Sequence, residues 1–126
     1  CDFGLSEKFE SKISSNFYSN KYVGKEVYKS PEINHRHKFF DAKKNDIWCA
    51  GVCLFAMITG AFPWQKAWSK DAAFVKIMNA EYAELFTAIK RAQYVNKQII
   101  DLFRAIFQYE EKRISLQEMK QHAWLT

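Results

Sequence analysis

Apolar residues crowd one stretch of this chain more densely than any other. Residues 44–60 read KNDIWCAGVCLFAMITG, with hydrophobic side chains on almost every face of a helix. Such a helix is surrounded by neighbours, so the pattern predicts a central buried helix closed by Gly60 at its C-cap. Phe62-Pro63-Trp64 then starts a new direction. Further along, Asp71 is placed to cap a helix carrying Phe74, Val75, Ile77 and Met78, and a second amphipathic stretch carries Tyr82, Leu85, Phe86 and Ile89. Ile99, Leu102, Phe103, Ile106 and Phe107 recur at spacings of three and four, and Ser115-Leu116-Gln117-Glu118 has the capping-box form of a helix start. Ahead of the central helix, residues 5–29 are rich in Ser, Lys, Asn and Tyr without sustained periodicity. They predict a long surface loop, with a short strand over residues 3–6 and, after the loop, a short helix that opens on Pro31 with Ser30 as its cap.

Composition narrows the class. A chain of 126 residues with 48% hydrophobic and 17% aromatic residues predicts one globular domain with a core and excludes intrinsic disorder. The net charge of +5 raises the question of a nucleic-acid or membrane partner. Its distribution answers no: residues 1–46 carry nine basic and seven acidic side chains, and residues 47–126 carry ten and seven. The apolar run over residues 47–59 falls short of the roughly 20 residues a membrane span needs. Three cysteines, Cys1, Cys49 and Cys53, form no disulfide framework, and no signal peptide is evident. A reducing, cytoplasmic compartment is expected. Cys49 and Cys53 are read as buried, inert thiols. His35-Arg36-His37-Lys38 lacks further ligands for a metal and reads as solvated histidines.

The candidate chemistry lies in four blocks. Asp2-Phe3-Gly4 comes first, then GKEVYKSPE at residues 24–32, then NDIWCAGVCLFAMITGAFPW, and last RISLQEMKQHAWL. In this order they resemble the C-terminal lobe of a eukaryotic protein kinase of the Ser/Thr type, from the metal-binding loop to the last helix. The resemblance implies a mainly α, kinase-like helical lobe over residues 33–126, with an activation segment over residues 2–32 as a long N-terminal loop. It implies transfer of the γ-phosphate of ATP to protein Ser/Thr hydroxyls, with ATP and Mg2+ as cofactors and a protein substrate as partner.

Several roles follow from the resemblance. Asp2 matches the family's magnesium-holding, nucleotide-binding aspartate, a hard oxygen donor for a hard cation. Gly24, Lys25, Tyr28 and Ser30 match the substrate platform. Glu32 matches the glutamate that pairs with an arginine near the end of the lobe, here Arg113. Asp46 matches the structural aspartate that starts the central helix. Lys25 departs from the family's usual threonine, which keeps open the alternative of a pseudokinase-type binding module. Ser6, Ser11, Ser14, Ser15, Ser19, Tyr18 and Tyr22 are candidate phosphate acceptors. The phosphate-binding loop and catalytic base of the family would precede Cys1, so the expectation is a fragment without activity of its own. The central helix would then expose an apolar face.

Overall fold

The computed structural model describes residues 2–8 and 18–126. Its organising element is the helix α2, Ala42–Thr59. Asp41 supplies the cap, its carboxylate accepting the N–H groups of Lys43 at 2.9 Å and Lys44 at 3.4 Å. The helix therefore begins before Asp46, which lies in its second turn and does not start it. Gly60 ends it in the left-handed region at φ 74°, donating its N–H to Ala56 O. That backbone angle is the one a side chain resists.

Around α2 the chain is mainly helical: α1 is Pro31–Asn34, α3 Ala72–Met78, α4 Tyr82–Ala88, α5 Lys97–Ile106 and α6 Leu116–Lys120. Glu26–Tyr28 and Ala92–Tyr94 add two short 3-10 turns. The expected caps at Asp71 and Ser115 are present, the latter as a full capping box with Glu118; Asn96 caps α5. Two elements differ from expectation. Residues 3–6 form a turn rather than a strand, with the Ser6 N–H bonded to Phe3 O. The sheet consists instead of β1, Tyr18–Ser19, antiparallel to β2, Phe40–Asp41, with Tyr18 opposite Asp41 and Ser19 opposite Phe40.

The core lies between α2 and α5. Ile47, Trp48, Val52 and Phe55 of α2 meet Ile99, Leu102, Phe103 and Ile106 of α5 and Phe107 beyond it. Trp48, Trp64 and Phe107 form a mutually packed aromatic triangle with centroids 5.0–5.2 Å apart. Gly51 lets the two helices approach: a Cβ there would lie 2.5 Å from Ile106 Cγ2 and 3.0 Å from Phe107 Cε1. Gly51→Val is expected to destabilise the fold by about 1–3 kcal/mol through overpacking, more than the few tenths gained in helix propensity. The midpoint of urea unfolding measures the net effect.

α2 is not enclosed all round. Asp46, Ala50, Cys53 and Met57 fall on one exposed stripe, Met57 at 76% exposure. The expected apolar face is therefore present. The expected burial of both thiols is corrected: Cys53 is exposed because it points along this stripe, and Cys49 is half-buried on the side facing Tyr28. No helix among the described residues is long and apolar enough to cross a membrane.

Candidate functional site

Pro31 opens α1 at the position where a missing N–H costs nothing, and the next residue, Glu32, is directed into the lobe. Arg113 enters from the turn between α5 and α6. Its Nη1 donates to Glu32 Oε1 at 2.6 Å and its Nη2 to Glu32 Oε2 at 2.9 Å, a two-pronged pair spanning 81 positions of sequence. Nη1 also reaches Lys44 O, while Nη2 and Nε both donate to Gln108 O. All five guanidinium N–H donors are thereby used. The plane of charge lies 4.8 Å from the Trp48 ring centroid, a cation–π contact inside the core. Glu32 is 3% exposed and Arg113 2%.

Burial opposes ionisation of Glu32, but the Arg113 guanidinium outweighs it and holds the carboxyl below the ordinary glutamate value of 4.5. A carboxyl with a depressed folded value adds stability above its unfolded value and loses it as pH falls through the folded one. Stability should therefore drop on acidification from about pH 5 downward. In an Arg113→Met variant the same buried carboxyl lacks its counter-charge, and its contribution should change sign, acid favouring the fold. Urea midpoints across this range for the two proteins check the reversal.

The segment ahead of Glu32 is fastened to the loop after α2. Trp64 Nε1 donates to Val27 O at 3.0 Å, and Tyr28 stacks edge-on against Phe62 at 5.6 Å. Asn34 Nδ2 bridges Lys29 O and Ala67 O. Glu26 accepts from Lys29 at 2.6 Å and pairs with Lys66 at 3.1 Å. The Cys49 thiol donates to Tyr28 O, and burial pushes its pKa up to about 12. Gly24 enters this segment at φ 101°. Ser30 is buried at the N-cap position of α1, but its hydroxyl makes no capping bond; its carbonyl accepts the Asn34 N–H instead. Lys25 is exposed, and its ammonium has no hydrogen-bond or ion-pair partner among the described residues.

The structure thus brings Tyr28, Glu32 and Arg113 onto one scaffold, with Lys25 at its rim. Asp2 stands apart from it, exposed, with Oδ1 accepting the Gly4 N–H at 2.9 Å. No hydrogen bond or ion pair among the described residues reaches the Asp46 carboxylate, and burial alone raises its pKa above the ordinary aspartate value. No group of three or more His, Cys, Asp or Glu side chains among the described residues could hold a metal. Of the candidate phosphate acceptors, Ser11, Ser14 and Ser15 lie outside the described residues; Ser19 is buried, and the Tyr22 hydroxyl donates to His37 O. Trp64 and Asn34 were absent from the sequence-based candidates. Their roles depend on main-chain carbonyls of another segment, which leave no mark in side-chain patterning.

A family model for the protein kinase domain matches residues 1–125. The chain is 27% identical to the serine/threonine-protein kinase CHK1 of Saccharomyces cerevisiae, covering 99% of this chain and 23% of the relative. It is 31% identical to the serine/threonine-protein kinase KIN4 of the same yeast, covering 98% and 15%. To the serine/threonine-protein kinase SRK2A of Arabidopsis thaliana it is 32% identical, covering 98% and 32%. The chain spans less than a third of the length of each of these relatives. The family match runs unbroken from Asp-Phe-Gly through the Glu32–Arg113 pair to the last helix, and the chain belongs to the protein kinase domain family.

Proposed function

We propose that this chain supplies the substrate platform of a serine/threonine protein kinase, which transfers the γ-phosphate of ATP to protein hydroxyls. The observation that carries the reading is the buried Glu32–Arg113 pair, which ties the segment ending at Ser30-Pro31-Glu32 to the helical lobe. In phosphoryl transfer the protein's work is mostly positioning and charge neutralisation, so a platform fixed to a rigid core is what the chemistry requires. Gly24, Lys25, Tyr28 and Ser30 form that platform, held from beneath by Trp64 and Asn34.

Asp2 suits magnesium as a donor. Its carboxylate is exposed, one oxygen is oriented by the Gly4 N–H, and Mg2+ takes one or two carboxylates while keeping waters and phosphate oxygens. When bound, the ion would neutralise charge on the nucleotide phosphates. Asp46, unpartnered on the exposed stripe of α2, is suited to accept backbone N–H groups from chain packed over it. The reading places the protein in the reducing cytoplasm, where Cys53 can remain a free thiol.

The test uses the natural gene product carrying this chain, purified from its source and assayed with γ-labelled ATP and Mg2+ on mixed protein substrates. Label on serine and threonine, reduced about 100-fold or more by Asp2→Asn, is expected. No transfer under any condition would overturn the proposal. The 126-residue chain alone is expected to turn over no ATP.

A further inference from the structure

Residues 2–6 fold as one small turn. Asp2 Oδ1 accepts the Gly4 N–H at 2.9 Å, and the Phe3 carbonyl accepts both the N–H and the hydroxyl of Ser6, at 3.0 and 2.7 Å. Apolar burial does not hold this turn to the lobe, since Phe3 and Leu5 are 73% and 67% exposed. Glu7 follows directly, and its carboxylate reaches across to a distant part of the chain. Its Oε2 accepts the Ser19 hydroxyl at 2.8 Å, and its Oε1 lies 3.4 Å from Lys21 Nζ. Ser19 Oγ also accepts the Lys21 N–H at 3.2 Å, which leaves the hydroxyl proton for Glu7. The Ser19 hydroxyl, ahead of Lys21, holds the Glu7 carboxyl below the ordinary glutamate value of 4.5.

The two contacts differ in weight. The Lys21 side chain is 57% exposed, and an ion pair in that setting is worth little and is screened by salt. Ser19 is 5% exposed, and a hydroxyl donating to a carboxylate makes the stronger kind of hydrogen bond. Its backbone is fixed as well: Ser19 stands opposite the buried Phe40 in the β1–β2 pair, and Asp41, next along β2, caps α2. A line of contacts therefore runs from the Asp2 turn through Glu7 and Ser19 to the start of the central helix. An exposed turn keeps one position only where something ties it down. We infer that Glu7 is a positioning residue: its carboxylate, bonded to the buried Ser19 hydroxyl, holds the turn that carries Asp2 in place against the helical lobe. The tie stands on these contacts; its bearing on metal binding rests on the role of Asp2 proposed above. Mg2+ demands near-ideal octahedral geometry and takes only one or two protein carboxylates, so a donor on a loosened turn is a weaker donor.

The test uses the natural gene product carrying this chain and reads two quantities without turnover. These are hydrogen exchange in residues 2–8 and the binding of Mn2+, followed by electron paramagnetic resonance, with a non-hydrolysable ATP analogue present. Glu7→Ala should speed exchange at the Ser6 N–H about threefold to tenfold and weaken Mn2+ binding by about the same factor, with the urea midpoint little moved. Ser19→Ala should reproduce both losses from the other side of the bond. Glu7→Gln, whose amide oxygen still accepts the hydroxyl, should recover part of each, and Lys21→Met should cost less than Ser19→Ala. Glu111→Gln, exposed between α5 and α6, is the control and should leave both readings at the parent's level. Exchange at Ser6 unchanged by Glu7→Ala and Ser19→Ala would overturn the tie. Faster exchange with Mn2+ bound as tightly as by the parent would overturn the positioning role and leave Asp2 as a donor. A parent that binds no Mn2+, or binds it no better than Asp2→Asn does, would remove the proposed role of Asp2 and this inference with it.

Discussion

Replacing Arg113 with methionine is expected to reduce the free energy of unfolding by roughly 3–5 kcal/mol, the cost of removing one partner of a buried ion pair. Glu32 would be left as an uncompensated charge at 3% exposure, and the carbonyls of Lys44 and Gln108 would lose their donors. A domain's whole stability is about 5–15 kcal/mol, so this single change removes a large part of it. Arg113→Lys should fall in between, because an ammonium keeps the charge but cannot offer the parallel fork that meets both oxygens of Glu32. Urea unfolding followed by circular dichroism gives the ranking. The same loss should reach the segment ahead of Glu32, which Glu32 fastens to the lobe: trypsin should cut after Lys25 and Lys29 faster in the variant than in the parent. A midpoint unchanged by Arg113→Met would mean that the pair is solvated.

A loss of similar size, about 3–5 kcal/mol, is expected for Trp48→Ala. Trp48 is fully buried and touches Trp64, Phe74, Phe107 and the Arg113 guanidinium at once. Removing it empties the place where α2, the loop after it and the Arg113 turn converge. Trp48→Phe separates packing from hydrogen bonding. The indole Nε1 is buried without a partner among the described residues, so phenylalanine removes an unsatisfied donor as well as some contact area. Its cost should be smaller, about 1–2 kcal/mol, whereas a cost matching that of alanine would show that the indole N–H is bonded.

How far the sequence could be read depended on how local each signal was. Asp71, Ser115 with Glu118, and Gly60 announce their helix ends through side chains within four residues, and the structure has each in that role. The start of α2 was harder, because Asp41 caps it from beside a two-residue strand too short to show any alternation. Cys53 was misplaced for a related reason. A uniformly apolar helix carries no moment to distinguish its covered side from its open one, so burial at Cys53 could not be told from burial at Val52. Ser30 shows that a capping residue in the capping position need not cap: with Pro31 next, the first turn closes through the Ser30 carbonyl. The Glu32–Arg113 pair spans 81 residues, and no periodicity connects its members. It was legible only through resemblance to a family. The ties that hold the segment around Glu32, Trp64 to Val27 O and Asn34 to Ala67 O, were not legible at all, since main-chain acceptors are the same at every residue.

The central claim is that Glu32 and Arg113 act as one buried unit joining the segment at residues 24–32 to the helical lobe. A double-mutant cycle tests it most directly, with unfolding free energies measured for the parent chain, Glu32→Gln, Arg113→Met and the double variant. The account predicts strong coupling, the double variant losing at least about 2 kcal/mol less than the sum of the single losses, because each single change strands the other partner. Losses that add within about 0.5 kcal/mol would contradict it.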